Sequence, residues 1–122
     1  GAKVDYMRPL RPGEVDPNPA YTPGYFKEWG FMPVRVTRRD VLFEGLGDEI
    51  VVRELHAWEA KSVPPEFVVL AATNACPVQA VRHRTRPIWG TQFHAERWDA
   101  AHQDGEVILG NFLKAAGLTP GP

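Results

Sequence analysis

The sequence has little cysteine, little net charge and no long apolar run, and each shortage excludes a class of protein. Cys76 is the only cysteine among 122 residues, so an internal disulfide is excluded and a reducing compartment is favoured. A net charge of −1 provides no basic face of the kind that nucleic-acid-binding domains carry. No apolar run approaches the roughly 20 residues of a membrane span, and no signal-peptide pattern is present. We therefore expect a soluble, cytoplasmic domain that binds neither nucleic acid nor membrane.

Proline, in contrast, is abundant and unevenly placed. Five of the twelve prolines lie between Arg8 and Gly24. Proline fixes φ and removes a backbone donor, so residues 8–24 are predicted to form an irregular surface loop. Loops of this length are often functional or mobile.

Outside this loop, the sequence predicts strands followed by one helix. The strands are predicted, mostly from β-branched and aromatic residues bounded by turns, over residues 1–7, 31–36, 50–55, 67–72, 78–83 and 88–93. The segment 67–72 is almost wholly apolar, which predicts a central strand buried on both faces. Tight turns between the last three strands predict antiparallel pairing.

Two aspartates are predicted to cap helical segments. Asp40 is expected to cap a single turn, and Asp104 to be the N-cap of an amphipathic helix over residues 104–116 that Gly117 ends. The chain as a whole, residues 1–122, is predicted to be one α/β unit. Residues 26–93 are expected to be mostly strands, which form a mixed sheet with an antiparallel section, and a C-terminal helix follows.

The candidate chemistry lies just after the last predicted strand. Ile88, Trp89 and Phe93 would be buried in that strand, and His94 and Glu96 follow at its C-terminal end. In an open α/β sheet, ligands bind at that edge. A histidine beside a carboxylate can supply the base and the orienting group of a nucleophilic triad. The alternative is a surface histidine next to a solvated carboxylate.

Residues 90–96 closely resemble the Gly-x-Gln-Phe-His-Pro-Glu signature of class I glutamine amidotransferases, with Ala95 in the place of the usual proline. Further segments are similar to motifs of that family in the same order, namely residues 26–31, 40–46, 56–59, 63–67, 77–80 and 104–113. In that family a Cys-His-Glu triad removes ammonia from glutamine. The resemblance implies that this chain is the second half of a flavodoxin-like amidotransferase domain.

The resemblance also implies roles for individual residues. His94 would take a proton from the nucleophilic thiol and later give it to the leaving ammonia, while Glu96 would fix the tautomer of His94. The backbone of Leu55 and His56 would hold the α-amino and carboxylate groups of glutamine, although a purely structural role for His56 is the alternative. No cofactor is implied. No metal is expected either, because no two histidines have zinc-site spacing and the cysteine is isolated.

The nucleophile of the family is missing from these residues. It lies on a Gly-x-Cys-x-Gly elbow in the N-terminal half of the domain, and Gly1 resembles a position just after the elbow helix. Cys76 cannot replace it, because an elbow uses the N–H of the next residue as an oxyanion donor and Pro77 has none. Cys76 is instead interpreted as a small buried or turn residue.

Three functional hypotheses follow. The first is that the complete domain hydrolyses glutamine to glutamate and ammonia, while this chain alone is inactive. The second is a non-catalytic binding or regulatory descendant of the fold, and the third is hydrolysis of other γ-glutamyl amides. The expected partners are glutamine or a γ-glutamyl compound, an N-terminal half-domain or a second copy of this chain, and a synthase that uses the ammonia.

Overall fold

The structure is a computed structural model that describes residues 2–118; Gly1 and residues 119–122 lie outside the described part. Within residues 2–118, seven strands and one α-helix follow one another, with a single 3₁₀ turn at Val41–Phe43. The elements are β1 (Val4–Tyr6), β2 (Glu28–Val36), β3 (Glu49–His56), β4 (Trp58–Ala60), β5 (Phe67–Ala72), β6 (Ala80–His83), β7 (Trp89–Thr91) and α1 (Asp104–Ala115). Among the strands, β4 is the one that the sequence does not predict. None of the helices in the described part is long and apolar enough to cross a membrane.

The main sheet has five strands in the order β3-β2-β5-β6-β7, and neighbouring strands are all antiparallel. β5 is the central strand, as predicted. Leu70, Ala71 and Ala72 are buried, but residues 67–69 are only half-buried, because Phe67 and Val68 line surface clefts. The prediction of complete burial is therefore correct only for the second half of β5.

A small second sheet joins the beginning of the chain to β4, which follows β3 after a bend at Ala57. Tyr6 in β1 stacks between Tyr25 and Trp58, with ring centroids 3.7 Å and 3.9 Å apart. No sequence pattern indicates β4, because its three residues show no alternation of their own. Its partner β1 is distant in sequence, so the pairing is a tertiary effect.

The loop over residues 8–24 contains turns and one isolated bridge between Pro9 and Tyr25. The buried side chain of Lys27 fixes the C-terminal end of this loop. The Lys27 ammonium donates to Asp16 at 2.8 Å and to the carbonyl oxygens of Thr22 and Tyr25. These hydrogen bonds from the Lys27 ammonium fix a loop whose prolines have no backbone N–H to donate.

The core lies between the main sheet, the 3₁₀ turn and α1. Its buried members are Val34, Val36, Leu42, Phe43, Ile50, Val52, Leu70, Ala71, Ala80, Phe93 and Ile108. Asp40 caps the 3₁₀ turn as predicted, since its carboxylate accepts the Leu42 N–H at 2.9 Å. Gly117, with φ of +77°, follows the end of α1 as predicted.

The prediction that Asp104 is the N-cap of the helix is wrong. Asp104 is the first helical residue, and Gln103 occupies the cap position without a side-chain cap. The Asp104 carboxylate instead accepts the backbone N–H of Val51 in β3 at 2.8 Å. This tertiary hydrogen bond attaches the start of α1 to the edge of the sheet, close to the segment that carries His94.

Candidate active site

After β7 the chain crosses from one edge of the main sheet to the other. The Gln92 N–H donates to the Gln79 carbonyl at 2.7 Å, and two residues later the His94 N–H donates to the Arg53 carbonyl of β3 at 2.9 Å. Arg53 and His94 form an isolated antiparallel bridge. Phe93, between them, is buried in the core. Successive side chains of an extended chain alternate in direction, so His94 emerges on the side away from Phe93.

His94 and Glu96 form the hydrogen bond expected of an imidazole and its orienting carboxylate. Nδ1 of His94 lies 2.8 Å from Oε1 of Glu96, and the two side chains are 41% and 60% exposed. Nε2 of His94 has no hydrogen-bond partner among residues 2–118. Because Nδ1–H donates to the carboxylate, the lone pair is on Nε2, where a general base needs it.

The carboxylate partner remains ionised at neutral pH. Partial burial raises the pKa of Glu96, but the hydrogen bond from His94 and the nearby charges of His94 and Arg97 outweigh it, so the pKa lies below its ordinary value. An ionised Glu96 is an acceptor only, which fixes the tautomer of His94.

Gly105 positions the turn that carries these two residues. A Cβ atom on Gly105 would collide with the carbonyl oxygen of Ala95, which lies between His94 and Glu96. The first turn of α1 therefore packs directly against the backbone of the motif. No sequence signal indicates this contact, because a helical glycine has many explanations.

A second histidine–carboxylate pair lies in the following loop. His102 is half-buried and stacks on Phe31 with ring centroids 4.0 Å apart, and its Nδ1 lies 2.9 Å from Asp99 Oδ1. The guanidinium carbon of Arg53 also lies over the Phe31 ring, 5.3 Å from its centroid. Phe31 is three residues from Val34 in β2 and therefore lies on the opposite face of the strand from that core residue.

Leu55 presents backbone groups on the edge of β3 where the Arg53 carbonyl binds the N–H of His94. In an antiparallel ladder, alternate residues direct their N–H and C=O to the same edge. Arg53 and Ala57 direct their carbonyls to the outer edge of β3, where they accept the N–H groups of His94 and Met7. Leu55 lies between them, and no hydrogen bond joins its outward N–H and C=O to any described residue.

The His56 side chain is buried. The sequence leaves open whether His56 belongs to the substrate site or is purely structural, and the structure leaves the residue only 5% exposed. Its Nε2 lies 2.9 Å from Glu28 Oε1, and its Nδ1 lies 2.7 Å from the Trp58 carbonyl. By the same alternation, its backbone faces β2 rather than the outer edge. The structure therefore places the backbone of Leu55, but not that of His56, on the His94 side of β3.

The His56 ring belongs to a buried polar cluster. Glu28 also accepts hydrogen bonds from the Thr73 hydroxyl at 2.7 Å and from the Gln79 amide at 2.6 Å. Burial lowers the pKa of His56, but its hydrogen bond to Glu28 and the nearby carboxylate of Glu54 outweigh this effect and raise the pKa to about 9. Burial raises the pKa of Glu54, which lies 3.6 Å from the same ring nitrogen. The cluster links β2 and β3 to the turn before β6.

Cys76 adjoins this cluster and is unsuited to attack a substrate. The residue is fully buried, and burial, together with the charges of Glu28 and Glu59, raises the pKa of its thiol to about 12. Reactive cysteines have lowered pKa values and are partly exposed. Glu28, His56 and Cys76 could offer three metal ligands within 4.8 Å of one another. Both ring nitrogens of His56, however, are engaged with protein acceptors.

Comparison with known proteins identifies the family of the chain. A family model described as glutamine amidotransferase class-I matches residues 27–115. The chain belongs to this family.

Among its relatives are archaeal proteins named as one subunit of the glutamine-hydrolyzing GMP synthase. The one from Pyrococcus abyssi is 40% identical over 90 residues, which are 74% of this chain and 47% of the relative. The one from Methanopyrus kandleri is 41% identical over 91 residues, 75% of this chain and 48% of the relative. This chain thus spans about half the length of the curated relatives it matches.

The crystal structure of a protein from Thermoplasma acidophilum, described as the same GMP synthase subunit, has the same fold. It matches with a TM-score of 0.74 and 32% identity, over 96% of this chain and 49% of that one. The antiparallel sheets and the C-terminal helix are therefore those of a flavodoxin-like class I amidotransferase domain.

Proposed function

We propose that this chain carries the base and part of the substrate site of a glutamine-hydrolysing domain, whose nucleophilic cysteine comes from another segment of the protein. The 2.8 Å hydrogen bond between His94 and Glu96, with Nε2 of His94 unpaired in the described structure, carries this proposal. The family's Gly-x-Cys-x-Gly elbow is absent from these residues. The buried thiol of Cys76 does not replace it.

His94 moves two protons in this reaction. Its Nε2 takes the proton of the cysteine thiol, and the thiolate attacks the side-chain amide carbon of glutamine. As the carbon–nitrogen bond breaks, the imidazolium gives that proton to the leaving ammonia. Nε2 then takes a proton from the water that attacks the thioester, glutamate is formed as the carbon–sulfur bond breaks, and the imidazolium returns the proton to the thiolate, which restores the thiol. Throughout, ionised Glu96 holds the ring and stabilises its positive charge.

Leu55 positions the other end of the substrate. Its outward N–H can donate to the α-carboxylate of glutamine, and its C=O can accept from the α-ammonium group. Arg53, two residues earlier, holds the backbone of His94 on the same edge. His56 contributes indirectly, because its bond to Glu28 fixes the end of β3 against β2.

The relatives indicate where the ammonia goes. Because they are named as subunits of a glutamine-hydrolysing synthase, we infer that the complete domain delivers ammonia to a separate synthase subunit. The isolated chain is expected to release no ammonia from glutamine. Release by the purified chain that Cys76→Ala abolishes would contradict this part of the proposal.

A hybrid protein tests the catalytic roles. Residues 2–122 would be joined to the N-terminal half of the Pyrococcus abyssi relative, and release of glutamate and ammonia from glutamine would be measured. We expect activity that His94→Ala abolishes. His102→Ala is a matched control, because it removes the other histidine–carboxylate pair at 2.9 Å in the same part of the chain.

Three outcomes distinguish the hypotheses. Equal losses in the His94 and His102 variants would contradict the assignment of His94 as the base. A folded hybrid that binds glutamine without hydrolysing it would favour a binding module. Faster release from other γ-glutamyl amides than from glutamine would favour the third hypothesis.

A further inference from the structure

A second cleft, separate from the His94 site, is lined mainly by arginine. It has a volume of about 400 Å³ and lies where the segment before the 3₁₀ turn meets β5 and β6. Its lining consists of Arg38, Arg39, Asp40, Val68, Leu70, Arg82, His83 and Arg84. Four arginines and a single aspartate thus line the cleft, in a chain whose net charge is −1. We call this feature the arginine cleft.

The protein already orients three of the four guanidinium groups. Arg39 donates to the carbonyl oxygens of Phe43, Leu46 and Gly47 at 2.9–3.2 Å. Arg84 donates from Nε to the Pro65 carbonyl at 2.7 Å. A guanidinium group held in this way loses less entropy when it binds an anion than a free side chain does.

The third, Arg82, is held by Asp40 and by an aromatic ring. Its Nη1 lies 2.6 Å from Asp40 Oδ1, and its guanidinium carbon lies 5.0 Å from the centroid of the Trp89 ring. Asp40 also accepts the N–H groups of Leu42 and of the Trp89 indole, so its oxygens are occupied. Arg39 Nη1 also lies 3.6 Å from Asp48 Oδ1, so within residues 2–118 Arg38 and Arg84 are the arginines of the cleft that no carboxylate pairs.

Several donors of the arginine cleft remain unused. The side chain of Arg38 has no hydrogen bond or ion pair within residues 2–118, and both Nη groups of Arg84 are likewise free there. His83 accepts the backbone N–H groups of Thr85 and Arg86 on Nδ1, which leaves its ring proton on Nε2 as a further donor. The cleft thus combines oriented cations with unpaired donors.

We propose that the arginine cleft binds a small anion that contains a diphosphate group. A single carboxylate can occupy one guanidinium fork, whereas linked phosphoryl groups present oxygens to several forks at once. The volume lies within the range of roughly 300–1,000 Å³ of small-molecule sites. Inorganic diphosphate and the diphosphate of a nucleotide share this chemistry. No residue of the His94 site lines the cleft, so the proposal is independent of glutamine hydrolysis.

Titration calorimetry of the purified chain with inorganic diphosphate tests the proposal. We expect one saturable site whose affinity falls as salt is raised, with orthophosphate binding more weakly. Arg38→Gln and Arg84→Gln should each weaken binding by about tenfold. Both residues are exposed, so the fold should survive, which circular dichroism would verify.

Arg86→Gln is the matched control. Arg86 is exposed and lies two residues from Arg84, but it does not line the cleft, so this variant should bind as the parent does. ADP distinguishes the two sources, because tighter binding of ADP than of diphosphate indicates a nucleotide. The absence of saturable binding, or an equal loss in the Arg86 variant, would overturn the proposal.

Discussion

The backbone N–H of His94 donates to the carbonyl oxygen of Arg53 at 2.9 Å and so connects the two edges of the main sheet. Residue 94 follows β7 at one edge, whereas Arg53 belongs to β3 at the other. The candidate base and the outward backbone of Leu55 consequently lie along one strand edge. This arrangement supports the proposal that both contact the same small substrate.

Removal of the carboxylate partner should slow hydrolysis less than removal of the base. In the hybrid protein, His94→Ala should lower kcat by roughly three to six orders of magnitude, and Glu96→Gln by roughly two to four. Glutamine retains the size of Glu96 but loses the charge that stabilises the imidazolium. Steady-state measurement of glutamate release checks this order. A larger loss in the Glu96 variant than in the His94 variant would be inconsistent with the assigned roles.

Two glycines of α1 should respond oppositely to alanine. Gly105→Ala should reduce the free energy of unfolding by about 1–3 kcal/mol, because the new Cβ collides with the Ala95 carbonyl. Gly110→Ala should raise it by about 0.5–1 kcal/mol, since Gly110 is exposed and a Cβ atom there would have no neighbour within 4 Å. Urea unfolding of both variants measures the difference. Equal effects would show that Gly105 does not support the His94 turn.

The buried His56 should make stability depend on alkaline pH. Because the pKa of His56 is raised to about 9 in the folded state, its contribution is complete below its ordinary pKa near 6.5. That contribution is lost as pH rises through about 9. The free energy of unfolding should therefore decrease over this interval, and His56→Gln should flatten the decrease. A parent protein whose stability rises across the same interval would contradict the charged state of the ring.

The isolated chain is predicted to self-associate. An apolar cleft of about 220 Å³ lies between the small sheet and β5–β6 and is lined by Val63, Phe67 and Val81, among others. Exposed apolar surface of this kind favours association. Light scattering at micromolar concentration should show dimers or larger species, and Val63→Lys should shift them toward monomer. Val41→Lys is the control, because Val41 is 48% exposed but does not line this cleft. A parent chain that is monomeric throughout would rule the prediction out.

The sequence predicts most elements and the pairing of His94 with Glu96, because those features depend on local patterns. It does not predict the buried cluster, although β3 contains a signal for it. Ile50, Val52, Glu54 and His56 occupy alternate positions, and all four are buried. Polar residues that continue an inward-facing alternation are candidates for a buried network. Glu28, which bonds His56, and Gln79, which bonds Glu28, are distant in sequence, so only the folded sheet shows the cluster.

The outward N–H and C=O of Leu55, which bond no residue of the described part of the chain, also determine what kind of molecule can complete β3. The carbonyl groups of Arg53 and Ala57, on either side of Leu55 along this edge, already accept hydrogen bonds. The gap between them therefore accommodates a single residue. A ligand that fills it has to offer an acceptor and a donor at the spacing of one main-chain unit. A free α-amino acid has both and would complete the strand as a one-residue extension. Such recognition depends only on the zwitterion, so discrimination between amino acids has to come from the surfaces that surround the side chain.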